Sequence, residues 1–497
     1  MKKRSLFKFL ALILTLCVSL SIFTACSDEF VSNVLDVLES VVGEFLEEEY
    51  PAEPTEESYF DFKLLEDGTY SISLKGGLTS YPEVITLPGE HSGALVTAIE
   101  AEGFKGNKSI KKVFVTKNVK VVGEGAFSGC SLIERVQFEK ESVLEEIKAE
   151  AFSGCALSFI NLPSGLKSIG NKAFYECSLK LLTLPDGLLT IGEYAFSGNT
   201  ILTLSIPASV TEIGEGAFSL IYALSSISVK EENANYKAID GVLYSKDGKT
   251  LIQYPIAKTA KSFTVPAGVE VIGAKAFYNA IMLNEIKFEQ GSTLTTVKAN
   301  AFENCALIVS LEIPATVTTI ESNAFLSCFK LVEVINRSSS ITVEKGAEEN
   351  GRVGYYALKV ANPEDGNVTS AVATDANGFI TLTDEEAIIL LGYSGSNADL
   401  VLPTNVTHIY EGALNGYLSS YSANYGIEIF ATLNSVTIPE SVVYIGSKAF
   451  SKCESLNAIT YSGTVAQWEA IEKGADWNES VPATKVVCSD GEVVLSK

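Results

Sequence analysis

Few side chains in this sequence are suited to chemistry, and their spacing points away from catalysis. The chain holds nine cysteines and two histidines, His91 and His408. A Ser-His-Asp or Cys-His arrangement needs an imidazole beside its nucleophile. His408 stands just before Ile409 at a variable repeat position, and His91 lies in a loop between Gly89 and Gly93. Both read as surface residues. Cys130, Cys155, Cys177, Cys305, Cys328 and Cys453 each follow a phenylalanine or its equivalent by three residues, and Asn107, Asn199, Ile221 and Ala280 fill that slot elsewhere. A slot shared by Cys, Asn, Ile and Ala is a small inward-facing position, where a free thiol packs as a small hydrophobe. Parallel, equivalent Cβ vectors in stacked coils disfavour the disulfide torsion, so these thiols are expected to stay unpaired. Metal binding is not expected, because no His or acidic residue recurs beside them. No Gly-rich phosphate loop follows a strand, and the Asp-Gly turns lack the alternating ligands of a calcium loop. The 61 acidic residues leave room for chance carboxylate pairs of the glycosidase kind. The chain reads as a non-enzyme without cofactors.

The elements that must position these residues come from a repeat. A phenylalanine, nearly always preceded by Ala, stands at Phe104, Phe127, Phe152, Phe174, Phe196 and Phe218, in steps of 23, 25, 22, 22 and 22 residues. It returns at Phe277, Phe302, Phe325 and Phe450, with Leu414 in the same role. Short alternating segments such as Ile160-Asn161-Leu162-Pro163 and Leu182-Thr183-Leu184-Pro185 repeat with it, and Ile169-Gly170 and Ile191-Gly192 mark a second apolar position and a turn. Proline lacks the N–H that a ladder needs, so it ends each strand at the same place. A period of about 20–29 residues with one strand each is the mark of a solenoid. Each coil has too little apolar surface to fold alone, and stacking buries a continuous column.

The pattern Leu-x-x-Ile-x-Ile-Pro, Val-x-x-Ile-Gly and Ala-Phe-x-x-Cys resembles the BspA-like leucine-rich repeats of bacterial surface proteins, over most of residues 58–461. The segment Glu66-Asp67-Gly68-Thr69-Tyr70-Ser71-Ile72 looks like the hairpin that caps such arrays. The resemblance implies a β-rich solenoid of short parallel strands and an extracellular adhesion or interaction role. It names no partner, since one repeat fold serves many.

Around that array the sequence divides further. Lys2, Lys3, Arg4 and Lys8 precede an apolar run from Phe9 to Ala25, which makes residues 1–25 a signal peptide. An uncleaved membrane anchor is the rival reading. Phe23-Thr24-Ala25-Cys26 resembles a bacterial lipobox, with Phe23 where Leu is usual, so Cys26 is the expected lipid-attachment residue. Residues 26–57 form an acidic tether, with eleven acidic side chains and no Lys or Arg between 27 and 57. Such a segment self-repels and extends. Residues 58–337 are expected to form the solenoid, interrupted by a hairpin insertion at 231–260. Residues 338–399 form a second β island, and residues 400–461 return to the repeat. Asp240-Gly241, Asp247-Gly248 and Asp365-Gly366 supply the hairpin turns of the two insertions. Residues 462–497 are the C-terminal cap. There Thr464 and Gln467 form a capping box for a short helix running to Gly474, and Trp468 and Trp477 cover the last open edge.

A net charge of −24 argues against nucleic-acid partners, which require clustered Lys and Arg. Strand alternation sets two outward columns on the sheet, one through Phe114, Gln137 and Asn161, the other through Lys112, Arg135, Phe159 and Leu181. Phe159 and Leu181 are expected to stack in adjacent coils, with Phe114 and Arg135 close by, as an apolar patch for a partner. The reading is a lipid-anchored, non-enzymatic cell-surface interaction or adhesion module on the extracellular face of a bacterial membrane. It would bind an extracellular protein, host or bacterial, through the sheet face. The alternative is a surface glycan-binding or glycan-processing protein.

Overall fold

The computed structural model describes residues 50–51, 53–418, 427–428 and 432–495. The signal peptide, Cys26 and most of the tether lie outside the described residues. The chain divides into two compact units, Met1–Pro185 with Asn199–Leu202, and Asp186–Gly198 with Thr203–Lys497.

The first unit opens with the antiparallel pair Phe60–Leu64 and Tyr70–Leu74. Asp67 closes its turn by accepting the Thr69 N–H at 3.0 Å and hydroxyl at 2.6 Å, beside Gly68 at φ +81°. From there the pairing is parallel. Ala94–Ile99 joins Tyr70–Leu74, and Val121–Val122, Glu146–Ile147 and Ser168–Ile169 follow in register. A second ladder holds Val84–Thr86, Lys112–Val115 and Arg135–Phe138, with Phe159–Asn161 paired to Leu181–Thr183. Alternation points Ile85, Val113, Val136, Ile160 and Leu182 inward, and all are buried.

Between the ladders the repeat phenylalanines stack face to face. Ring centroids are 4.8 Å apart for Phe104–Phe127 and 5.3 Å for both Phe127–Phe152 and Phe152–Phe174. These distances follow the ~4.8 Å separation of parallel strands, so one ring per coil makes a continuous apolar column. The chain turns on either side of each ring through left-handed residues. Glu150 at φ +56° and Gly154 at φ +70° flank Phe152, and Lys172 at +55° and Glu176 at +52° flank Phe174. A side chain at such a position costs on the order of 1 kcal/mol, which the buried ring must offset in each coil where the position is not glycine, as it is at Gly125 and Gly129.

In the second unit each insertion starts a new ladder. Tyr236–Ile239, Val242–Ser245 and Thr250–Gln253 form an antiparallel sheet; the last strand then pairs in parallel with Val271–Ile272, which pairs with Thr296–Val297, and that strand with Thr319–Ile320. Likewise Val372–Thr374, Phe379–Asp384 and Ala387–Tyr393 are antiparallel, and the last passes into parallel pairing with His408–Ile409. Residues 338–361 belong to the solenoid itself. Lys359–Ala361 extends the parallel ladder of Ser310–Ile313 and Glu333–Asn336, and the Gly351 carbonyl accepts the Phe325 N–H at 2.8 Å. The C-terminal helix Val465–Ala470 starts at the Thr464–Gln467 capping box. It stops short of Gly474, because Glu472–Lys473 is drawn into the ladder beside Tyr444–Ile445. Trp468 and Trp477 are buried and in edge contact at 5.8 Å, and the antiparallel pair Lys485–Val487 and Glu492–Val494 ends the sheet.

Candidate interaction surface

The cysteine slot is a hydrogen-bond donor position. Cys130 donates its thiol to the Phe104 carbonyl at 2.9 Å, Cys177 to Phe152 at 2.9 Å, Cys328 to Phe302 at 3.1 Å and Cys453 to Leu414 at 3.0 Å. Asn199 does the same through Nδ2 to the Phe174 carbonyl at 2.8 Å. Where Cys or Asn199 fills it, the slot therefore satisfies an inward carbonyl of the preceding coil, a role that Ile221 and Ala280 in the same slot cannot take. Burial pushes the Cys130 thiol up to about 11 and the Cys177 thiol up to about 12. Neither is a thiolate nucleophile at neutral pH. The seven cysteines among the described residues are all free, and those residues include no group of three His, Cys, Asp or Glu arranged to hold a metal.

Both histidines are engaged in packing. His91 stacks on Phe62 at 3.9 Å and 4°, with Nδ1 2.8 Å from Glu57, and His408 lies 2.9 Å from the Thr407 hydroxyl and 5.9 Å from the Tyr444 ring.

On the outward face of the first unit, Val84 registers with Lys112 and Lys112 with Arg135. Phe159 sits directly beside Leu181 on the neighbouring strand, and both are half-buried. Arg135 donates through Nη2 to Gln137 at 3.0 Å. Phe114 is the correction. It is 1% exposed and contributes nothing to an accessible patch. Tyr50, within the acidic segment, meets its ring edge-on at 5.5 Å and 83°. Thr55 then holds the same segment to strand Val84–Thr86, donating its N–H to the Thr86 carbonyl and accepting the Thr86 N–H at Oγ1, both at 2.9 Å. The Tyr50 hydroxyl is buried with no hydrogen-bond partner among the described residues, and burial pushes its pKa well above the usual phenol range.

The profile of the BspA type leucine rich repeat region matches six copies over residues 97–157, 145–241, 256–353 and 428–471, more than half of the sequence. The chain belongs to this family. No curated protein matches it. Solved structures similar to this BspA-type chain include the pneumococcal vaccine antigen PcpA, at 17% identity and TM-score 0.52, covering 89% of this chain and 100% of that one. A leucine-rich cell surface protein from Faecalibacterium prausnitzii is similar at 25% identity and TM-score 0.44, covering 85% and 98%. A leucine-rich repeat protein from Eubacterium ventriosum is similar at 20% identity and TM-score 0.43, covering 88% and 98%. Among the described residues, no helix is long and apolar enough to cross a membrane.

The second unit of this BspA-type chain carries a feature that the sequence reading missed. The hairpin insertion after residue 361 folds over the outward face of strand Glu333–Asn336, and all four residues of that strand are buried. Beside the covered strand runs a groove of about 950 Å³, floored by Glu285, Lys287, Ser310 and Glu312 and walled by Val372, Thr374 and Ile380. Its sequence signal at Asp365-Gly366 closes the 3-10 turn Pro363–Asp365 ahead of the hairpin and not the hairpin itself, and nothing in the pattern says where the insertion lies.

Proposed function

We propose that the chain is a lipid-anchored, non-enzymatic module displayed on the extracellular face of a bacterial membrane, and that it holds an extracellular protein on the outward sheet face of its first unit. The observation that carries this reading is the side-by-side pair Phe159 and Leu181, which offers contiguous apolar area on an otherwise polar face. Burying such a pair contributes on the order of a few kcal/mol, enough to anchor a modest interface. Arg135, on the same face, gives an acidic partner group something to pair with, and Val84, 44% exposed, lies beyond Lys112 and apart from the apolar pair. Membership of a leucine-rich repeat family supports an interaction role in general. The basic n-region, the apolar run and the small residues before Cys26 support display by a lipid anchor.

Replacing Phe159 and Leu181 together with Ser is expected to weaken capture of a protein partner at least about tenfold, with the fold retained by circular dichroism. Unchanged capture, or loss of the fold, would remove these residues from the interface. The anchor is tested separately. Cys26→Ala is expected to abolish incorporation of labelled fatty acid and to shift the protein from the membrane fraction to the soluble fraction. Retention of both label and membrane association in that variant would exclude Cys26 as the attachment point.

A further inference from the structure

We propose that the groove beneath the second hairpin insertion binds a neutral oligosaccharide. The groove is preformed, because buried polar contacts fix its floor to its wall. The Glu333 carboxylate is 1% exposed; it accepts the Ser310 hydroxyl from the floor at 2.6 Å and the Ala371 N–H from the wall at 2.7 Å. The Ser370 hydroxyl donates to the same carboxylate. At the far side Lys261 donates Nζ to the Ser394 carbonyl at 2.7 Å, and Arg337 donates Nη2 to the Val368 carbonyl at 2.7 Å. A ligand entering such a site does not have to order it first.

The charges on the floor select against an ionic ligand. Lys287 pairs with Glu285 at 2.7 Å, and Arg337 pairs with Glu312 at 2.8 Å. At these two pairs an anion would have to displace a carboxylate, and a cation would have to displace an ammonium or guanidinium; Lys261 and Glu289, also in the lining, are held by a backbone carbonyl and a backbone N–H. Each pair still presents unused acceptor lone pairs and N–H donors next to one another, since a guanidinium carries five N–H groups and a carboxylate has about four lone-pair sites. Vicinal hydroxyls, each both donor and acceptor, match that arrangement. The hydroxyls of Ser262, Ser292 and Thr374 add neutral partners, and half-buried Phe288, Val372 and Pro314 supply apolar surface for the C–H faces of sugar rings.

Size and backbone geometry narrow the class further. At about 950 Å³ the groove lies at the upper end of the ~300–1,000 Å³ typical of small-molecule sites, which suits an oligomer rather than one sugar. An extended peptide would bind most simply by adding a strand. The floor strand Glu285–Phe288 is already paired with Ser262–Val265, and Ser310–Ile313 with Glu333–Asn336. On the wall, the Ser370 hydroxyl accepts the Val372 N–H at 3.1 Å, which engages a backbone donor that an added strand would need.

The test is direct binding of the full chain to neutral gluco-, manno-, galacto- and chito-oligosaccharides of about three to five units, each beside its monosaccharide and its sulfated or sialylated form. At least one neutral oligomer should bind, with its monosaccharide at least about tenfold weaker and little change between about 0.05 and 0.5 M salt. Glu312→Ala and Lys287→Ala each alter an exposed side chain and should each lower that affinity at least about tenfold. The proposal is overturned by absence of binding across the panel, or by binding confined to charged glycans and lost in high salt. It is equally overturned by unaltered affinity in both variants, or by a groove that takes unstructured peptides and no glycan.

Discussion

Phe152→Ala is expected to destabilise its part of the solenoid by about 3–5 kcal/mol, the range for truncating a fully buried aromatic ring. Phe152 is 0% exposed and lies between Phe127 and Phe174, at interplanar angles of 3° and 11°. Its coil cannot collapse into the vacated space. The Phe127 N–H donates to the Ala151 carbonyl at 2.7 Å, the Phe152 N–H donates to Ala173 at 2.8 Å, and Cys177 donates to the Phe152 carbonyl. These bonds hold the coils at ladder spacing whatever side chain lies between them. In a repeat array the loss is shared mainly with nearest neighbours. Hydrogen exchange should therefore lose protection first in the coils holding Phe127, Phe152 and Phe174, while the second unit keeps its own. A single melting temperature is a poor readout, since long arrays need not unfold in two states. A loss below about 1 kcal/mol would mean that Phe152 is not a buried knob.

The same contacts show what the residue pattern discloses and what it hides. The Ala-Phe spacing of 22 to 25 residues is readable as one ring per coil, because no hairpin or helix keeps so long a period. The cysteines were legible as inward, yet their role as donors was not. Asn199 held the clue, since a buried amide needs partners that Ile or Ala does not. The left-handed turns were nearly silent. Gly106, Gly125, Gly129, Gly154, Gly198 and Gly216 hint at them, whereas Glu150, Lys172 and Glu176 take the same conformation with side chains that disfavour it. Local propensity is overridden there by the stacking of the ring between the two turns.

Exposure was the least legible property. Alternation assigned Phe114 to the outward column correctly, since it registers with Gln137. Parity does not reveal that Tyr50 lies across it. Glu333 and Ile335 repeat the lesson in the second unit: both occupy outward positions, and both are buried under the hairpin insertion. Strand register follows from residues two apart, but coverage depends on segments distant in sequence, for which no periodic signal exists. The capping box shows the same division. Thr464 and Gln467 mark the start of the C-terminal helix, while its end is set by Glu472–Lys473 pairing with another coil.

Lys330→Met is expected to raise stability near pH 7, by on the order of 1–3 kcal/mol. Lys330 is buried, and Nζ donates to the carbonyls of Leu391 and Ala413, each at 3.2 Å, with no carboxylate among these partners. Desolvation pushes the ammonium from 10.5 down to about 8. Below pH 8 the folded and unfolded chains both carry the charge, and the folded state bears the full cost of burying it. Between pH 8 and 10.5 the unfolded chain holds a proton that the folded chain has released, so stability rises with pH across that window, by roughly 3 kcal/mol in total. The advantage of Met should accordingly shrink from pH 8 upward and be largely gone by about 10.5. Buried Tyr254 and half-buried Tyr410, both pushed up to about 12 by desolvation, work the other way and lose stability from about pH 10. They do so equally in both proteins and cancel in the difference. Denaturation of the two proteins at a series of pH values reads the effect directly. A Met variant less stable at pH 7, or a gap that does not change with pH, would mean that the two carbonyl bonds outweigh the buried charge. Lys330 would then act as the clip that fastens the hairpin insertion, through Leu391, to the coil beneath it.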